Sequence, residues 1–306
     1  MSLKRIIFLV GPTASGKSAA AVCLARQLGA EIISCDSMQV YRGMDILTSK
    51  PSSALRKRIP HRLIGFLPPS REYDVSQYRR DALAAIKAIF KNGKTPLFVG
   101  GTGLYLSVLV DGIFKAKPPK SSLRNKLYRQ AEIKGSLYLY NHLKKIDPEA
   151  AARIHPNDTR RLVRALEVFE ATGKPISELQ KHRRGLGKEY DIRIFCLDMT
   201  RDELYRRIDR RVEGMFKNGA LKEAKKLLAL KLSRTAEVAI GLREIKGYLD
   251  GLYDLEEAKR LMQRNSRHYA KRQLTWFRKD KRIKWIRIKG NERAGDIALR
   301  ILKEIR

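Results

Sequence analysis

Ile6-Ile7-Phe8-Leu9-Val10 runs directly into Gly11-Pro12-Thr13-Ala14-Ser15-Gly16-Lys17-Ser18, and Ala19 to Leu28 then has the composition of a helix. An apolar run, a turn of small residues spaced GxxxxGK(S/T) and a helix read together as a buried strand feeding a phosphate-binding loop. Such a loop turns successive backbone N–H groups toward one point, and the helix behind it adds the partial positive charge of its N-terminus. Lys17 brings a mobile charge to the terminal phosphate, and the Ser18 hydroxyl is a candidate ligand for Mg²⁺. The loop reads a diphosphate, whatever carries it.

Outward from this loop, strand-like segments at Arg5–Val10, 31–34 and Thr95–Gly100 alternate with helical ones at Lys17–Leu28 and Val75–Lys91. Asp74 or Ser76 caps the second helix and Asn92-Gly93 stops it. This βαβ rhythm predicts a parallel sheet, and the apolar runs 192–198 and 284–288 are expected to extend it. Between them lies a helical pattern, 121 to about 181, broken at Gly135, Asp147-Pro148 and His155-Pro156 and preceded by Lys117-Pro118-Pro119-Lys120. The expected fold class is therefore α/β, a phosphate-loop parallel sheet flanked by helices. Its core is 1–116 with 186–306, and 117–185 is an inserted all-helical domain.

The formal net charge is +33, from 65 Lys and Arg against 32 Asp and Glu in 306 residues, which points to a polyanionic partner. Lysine-rich surfaces adapted to heat usually add Glu alongside Lys, and here the acids have not kept pace. The longest apolar run falls far short of the roughly 20 residues of a membrane span, and no charged segment followed by a long apolar one opens the chain. A cytoplasmic location is expected. Cys23, Cys35 and Cys196 lack metal-site spacing and read as buried thiols.

Within 256–279, Arg260, Arg264, Arg267, Lys271 and Arg278 fall on one narrow stripe when each residue turns by about 100°. A solvated helix face is the plain reading. The near absence of acids on the stripe, with Tyr269, Trp276 and Phe277 on other faces, favours a rail for nucleic-acid phosphates.

Ligands of open parallel sheets sit beyond the carboxyl ends of the strands, so Asp36, just after the strand ending at Ser34, should face the phosphate loop. Three roles stay open on the residues alone: a base accepting a proton from an acceptor group, a partner of Mg²⁺-bound groups, or the cap of a following turn. Gln39 and Arg42 suit a base edge or a phosphate. After the next strand, Gly100-Gly101-Thr102-Gly103 offers close backbone approach to a ligand and one hydroxyl. No Asp follows Pro96-Leu97-Phe98-Val99, which argues against an ATP-hydrolysing motor.

The ordered motifs GPTASGKS, DSMQVYR, VGGTGLY, IHPNDTRRLVRALEV, AIGLREI and YAKRQLTWFRK resemble those of the tRNA dimethylallyltransferases, across essentially the whole chain. The resemblance implies transfer of a dimethylallyl group from dimethylallyl diphosphate to N6 of adenosine 37, beside the anticodon, with Mg²⁺ present. On that basis Thr13, Ala14, Ser15, Gly16, Lys17 and Ser18 bind the diphosphate, Ser18 through the metal. Asp36 matches the family's general base, Arg211 its diphosphate arginine, and Thr102, like Thr13, a hydroxyl lining the reaction channel. Ser37, Gln39, Arg42, Arg161, Arg164, Arg264, Arg267, Lys271 and Arg272 are the expected contacts to the tRNA anticodon stem-loop.

Arg161 and Arg164 are three apart on one helix of the inserted domain and so share a face. His155 reads as a cap or an RNA contact. A monomer is expected. Leu242 and Gly65-Phe66 depart from the family pattern, where an aromatic residue and an acid are common.

Three other readings compete. A nucleotide or nucleoside kinase shares the loop and the acid after the second strand but explains neither the charge nor the basic tail. An isopentenyltransferase of free adenine nucleotides would dispense with the RNA surface. An RNA-binding protein with a degenerate loop is disfavoured by intact Lys17, Ser18 and Asp36.

Overall fold

Among the described residues, six strands form a single sheet: β1 (Arg5–Val10), β2 (Ala30–Ser34), β3 (His61–Arg62), β4 (Thr95–Gly100), β5 (Asp191–Asp198) and β6 (Ile283–Arg287). The structure, a computed structural model, describes residues 3–114 and 121–305. The strand order is β3-β2-β4-β1-β5-β6 and every pair is parallel. Helices cover both faces of a parallel sheet, so its strands read as continuous apolar runs. Ile6 to Val10 are accordingly all buried, and the Phe8 and Phe98 rings stack across β1 and β4 with centroids 4.6 Å apart. Burying each such side chain contributes about 1.5–3 kcal/mol.

β5 and β6 extend the sheet where the later apolar runs were expected. β3 was not expected. It is two residues long, too short for any periodicity, and exists because His61 and Arg62 pair with Ile32 and Ile33.

Helix Lys17–Leu28 ends at Gly29, whose φ of 58° is left-handed. Its inner face, Ala20, Ala21 and Leu24, shares a core with Ile297, Ile301 and Ile305 of helix Ala294–Ile305. Helix Val75–Lys91 starts with a full capping box: Asp74 accepts from Ser76 N and Gln77 N, while Gln77 accepts from Asp74 N. Its Tyr78 is buried, stacks on Tyr105 at 3.6 Å, and donates to Ser34 O at the end of β2.

The chain divides into two compact units. One is Asp111–Leu186; the other holds the described residues on either side of it. Within the first, helices Ser121–Lys134, Ser136–Ile146, Pro148–Ala151, Thr159–Thr172 and Ile176–Lys181 surround a core that includes Leu139, Leu143, Leu162 and Leu166. The Asp147 carboxylate caps helix Pro148–Ala151 through Ala150 N and holds helix Ile176–Lys181 through Ser177 N, both at 2.9 Å. His155 acts locally, its Nδ1 accepting from Asn157 N. Lys117-Pro118-Pro119-Lys120 lies outside the described residues.

Among those residues no helix is long and apolar enough to cross a membrane. Cys35 and Cys196 are buried, Cys23 is half-buried, and all are free thiols. Burial pushes the Cys35 and Cys196 thiols up to about 12. Leu242 is a core residue. Gly65 adopts a φ of 61° and donates to Gln39 O, and the exposed Phe66 sets its ring edge against Tyr73.

Candidate active site

β1, β2 and β4 are adjacent and parallel, apart from the order in which the chain visits them, so their carboxyl ends bring three loops to one edge of the sheet. The first is 11–16. Gly11 needs its glycine: φ is 146°, and a Cβ there would lie 3.0 Å from Leu197 O of β5. Ala14 (φ 63°) and Gly16 (φ 86°) are both left-handed, a conformation that curls backbone N–H groups inward. No side chain caps the helix beginning at Lys17, which leaves its positive end to a ligand. Lys17 Nζ lies along the loop, donating to Pro12 O at 2.7 Å.

Arg211, on helix Arg201–Lys217, reaches the same loop. It donates through Nη1 to Thr13 Oγ1 and through Nε to Ser49 Oγ, both at 2.6 Å. Burial lowers the Lys17 ammonium to about 8, the Arg211 charge adds to that, and Asp36 and Cys196 oppose it. Burial likewise lowers Arg211 to about 10 against the pull of Asp36. Two cations thus face one carboxylate, an arrangement whose charge is balanced by an anion.

The second loop begins at Asp36, whose Oδ1 accepts from Met38 N (2.9 Å) and Gln39 N (3.3 Å). The turn-capping role is therefore real, and it occupies one carboxylate oxygen. Thr102 Oγ1 accepts from Ser37 N at 3.1 Å, tying the second loop to the third. Half-buried Tyr269 sits over this junction; desolvation first, then Asp36, pushes its hydroxyl well above its ordinary value, against Thr102, Arg272 and Gln273.

The glycines of the third loop serve a different purpose from the one expected. A Cβ on Gly100 would lie 2.1 Å from Cys35 O, one on Gly101 2.0 Å from Gln273 Nε2, and one on Gly103 2.2 Å from the Trp276 ring. The space they free is filled by β2's exit and by helix Leu255–Phe277.

Gln39 Nε2 donates to Thr48 O and Ser49 O and so helps to shape the loop. Arg42 is exposed and donates to Phe66 O.

Sequence reasoning missed three side chains that build this edge. Ser49 receives Arg211. Glu223, near the start of helix Ala220–Leu228, accepts from the backbone N–H groups of Asp45, Ile46 and Leu47 at 2.8–3.1 Å. Gln273 accepts from Thr13 N and donates to Gly101 O. Each is a polar residue whose partner lies far away in sequence, so no local spacing marks it.

On helix Leu255–Phe277 the basic stripe faces outward, but not all of it is unpaired. Arg267 makes a two-pronged pair with Asp209 (2.5 and 3.0 Å) and lies over the Tyr205 ring, and Arg260 pairs with Glu257. The expected lack of acids held for the stripe itself, yet neighbours supply them. Arg264, Lys271 and Arg272 are exposed, Arg272 over the Tyr269 ring. In the helical unit, Arg161 pairs with Asp158 and Arg164 with Glu167, each three residues away.

Residues 39–280 match a family model described as IPP transferase, and residues 4–58 match one described as isopentenyl transferase. The tRNA dimethylallyltransferase of Geobacter sulfurreducens is 46% identical over 95% of this chain and 94% of that protein. That of Alkaliphilus oremlandii is 42% identical over 99% and 97%. Among solved structures, the tRNA isopentenylpyrophosphate transferase of Bacillus halodurans superposes with a TM-score of 0.71 at 39% identity, covering 99% of this chain and 97% of that one. A eukaryotic dimethylallyltransferase acting on tRNA gives 0.77 at 31% identity, covering 93% and 74%. The chain belongs to the IPP transferase family, to which these tRNA dimethylallyltransferases are its relatives.

Proposed function

We propose that this chain transfers the dimethylallyl group of dimethylallyl diphosphate to N6 of adenosine 37 in tRNA and releases diphosphate. The observation that carries this reading is the meeting of Lys17 and Arg211 with Asp36 at one sheet edge, an anion site beside a carboxylate.

In this reading the allylic C1–O bond of the donor breaks as N6 bonds to C1. Charge then grows on the leaving oxygen, where Lys17, Arg211, the Thr13 hydroxyl and the 14–17 backbone stabilise it. An exocyclic aromatic amine is a weak nucleophile, and Asp36 takes its proton through the carboxylate oxygen that the turn leaves over. General-base help of this kind contributes roughly 10²–10⁴ in rate. Thr102, joined to Ser37 N, holds the carboxylate's loop against the channel. Adenosine 37 turns out of its stack to enter.

Among the described residues no cluster of three or more His, Cys, Asp or Glu side chains could hold a metal, so Mg²⁺ would not find an all-protein cage. It does not need one: Mg²⁺ keeps several waters and takes substrate phosphate oxygens with one or two protein ligands. The residues fit, with Ser18 as the protein ligand, and bound Mg²⁺ supplies charge neutralisation on the departing diphosphate. Arg264, Lys271 and Arg272 on the long helix, Arg42 at the second loop, and Arg161 and Arg164 in the helical unit are the proposed phosphate contacts to the anticodon stem-loop.

Single-turnover transfer from labelled dimethylallyl diphosphate, with Mg²⁺, to an anticodon stem-loop with adenosines at 36, 37 and 38 tests this beside AMP and a guanosine-37 loop. Label on the adenosine-37 loop alone supports it. Label on AMP moves the chain to free nucleotides, and no label with phosphorylation of a nucleoside by ATP moves it to the kinases.

A further inference from the structure

Gln273 touches both the phosphate loop and the third loop. It is 5% exposed, and its carboxamide is engaged at both ends: Oε1 accepts from Thr13 N at 2.8 Å, and Nε2 donates to Gly101 O at 2.9 Å. The missing side chain of Gly101 is what lets the amide in, since a Cβ there would lie 2.0 Å from Nε2. Thr13 N is a donor and Gly101 O an acceptor, which fixes the orientation of the amide without ambiguity. A carboxamide presents a donor and an acceptor on a single planar carbon at every ordinary pH, whereas a carboxyl does so only when protonated.

What lies at each end gives the bridge its meaning. Thr13 receives Arg211, and the residue after Gly101 is Thr102, which receives Ser37 N beside Asp36. One buried amide therefore sits between the loop proposed to hold the diphosphate and the loops proposed to hold the base. Because the Thr13 N–H is taken by Gln273, it is withheld from the anion, and the curl of the 14–17 backbone is set from behind.

We propose that Gln273 is a positioning residue for prenyl transfer: it touches no reacting atom but sets the distance between the diphosphate loop and the Asp36–Thr102 junction. The inference rests on the site reading given under Proposed function.

The test compares Gln273→Met, which keeps the length and loses both hydrogen bonds, with Gln273→Glu. An ionised carboxylate accepts from Thr13 N but repels Gly101 O, whereas a protonated carboxyl again presents one donor and one acceptor. Burial raises the pKa of such a group, so acid should restore the bridge. Single-turnover transfer at saturating donor and stem-loop is measured from pH 8 to pH 5.5 and divided by the wild-type rate at each pH.

Gln273→Met should run about 10- to 100-fold below wild type at every pH with stem-loop affinity unchanged, as expected for reacting groups displaced by about an ångström. Gln273→Glu should be at least as slow at pH 8 and gain about tenfold relative to wild type on acidification. A pH-independent ratio for Gln273→Glu, or Gln273→Met within about threefold of wild type, overturns the proposal. Should Gln273→Met fail to fold, the pH ratio of Gln273→Glu decides alone, because a general loss of packing has no reason to be repaired by acid. Lys17→Ala and Asp36→Ala run alongside: if both kept wild-type transfer, the site reading itself would have failed, and not the bridge.

Discussion

Arg211 Nη1 donates to Thr13 Oγ1 across 2.6 Å although 198 residues separate the two in sequence. The same guanidinium holds Ser49, so one planar group fastens a helix to two loops. Lysine cannot reproduce that: its ammonium is a point charge without the fork. Arg211→Lys should lower kcat/KM for the donor by about 10² and Arg211→Ala by about 10³, the scale set by loss of one preorganised donor to a developing anion. Steady-state kinetics against dimethylallyl diphosphate at saturating stem-loop checks both.

Asp36 caps its turn and is the proposed base, and a single substitution can separate the two. Asp36→Asn keeps an oxygen for Met38 N and Gln39 N but removes the base. Its transfer rate should drop by roughly 10²–10⁴ while the thermal midpoint stays near wild type. Asp36→Ala loses both, and its stability should fall by about 1 kcal/mol as well, the cost of a lost cap. Chemical denaturation alongside single-turnover rates distinguishes the two variants.

Glu223 holds three consecutive backbone N–H groups just ahead of Thr48 and Ser49. Glu223→Ala leaves them to water and should cost about 2 kcal/mol in urea unfolding. Since Ser49 carries Arg211, donor KM should rise in the same variant while stem-loop affinity holds. Unchanged donor KM would mean that Glu223 does not act on Arg211 through Ser49.

Lys17 gives a proton signature. With its ammonium lowered to about 8 by burial and by Arg211, the free enzyme at pH 8 is a mixture of neutral and charged forms. An anion on the loop favours the charged form and raises the pKa, so donor binding should take up protons near pH 8. Below about pH 6.5 the group is already charged, and the uptake should vanish. Calorimetry with a non-reacting donor analogue in buffers of different ionisation enthalpy measures it, and Lys17→Arg should abolish it.

Among the described residues, the cations of helix Leu255–Phe277 include some paired with an acid and some that are exposed without one. Reversing Arg264, Lys271 and Arg272 to Glu should flatten the dependence of log affinity for the stem-loop on log salt by about 2 units, at roughly 0.7–0.9 per phosphate contact. Arg267→Ala should change that slope far less, because its guanidinium is already bound to Asp209.

Much of the sheet was legible because its central strands are apolar runs and the phosphate loop a contiguous motif. Asp36 and Thr102 were legible by position, each just past a strand's carboxyl end. β3 was not, since its two residues are extended only by virtue of their neighbour. Nor were Ser49, Glu223 and Gln273, whose partners are 162 to 260 residues distant and whose local surroundings look like ordinary loop or helix surface. The glycines of 100–103 were legible as a need for space but not as to its occupant: a packed amide and an indole take it. Arg267 read as part of the stripe because the acid that claims it belongs to another helix.

The bridge between Thr13 and Gln273 spans 260 residues, and this has a bearing on synthesis. The loop leaves the ribosome 260 residues ahead of the amide that fixes it. At about 5–20 residues per second the interval is on the order of tens of seconds. Throughout that time the nascent chain carries the 11–16 loop without its brace, so a transcript truncated shortly before codon 273 would yield a protein able to begin its sheet but unable to finish the edge proposed as the active site.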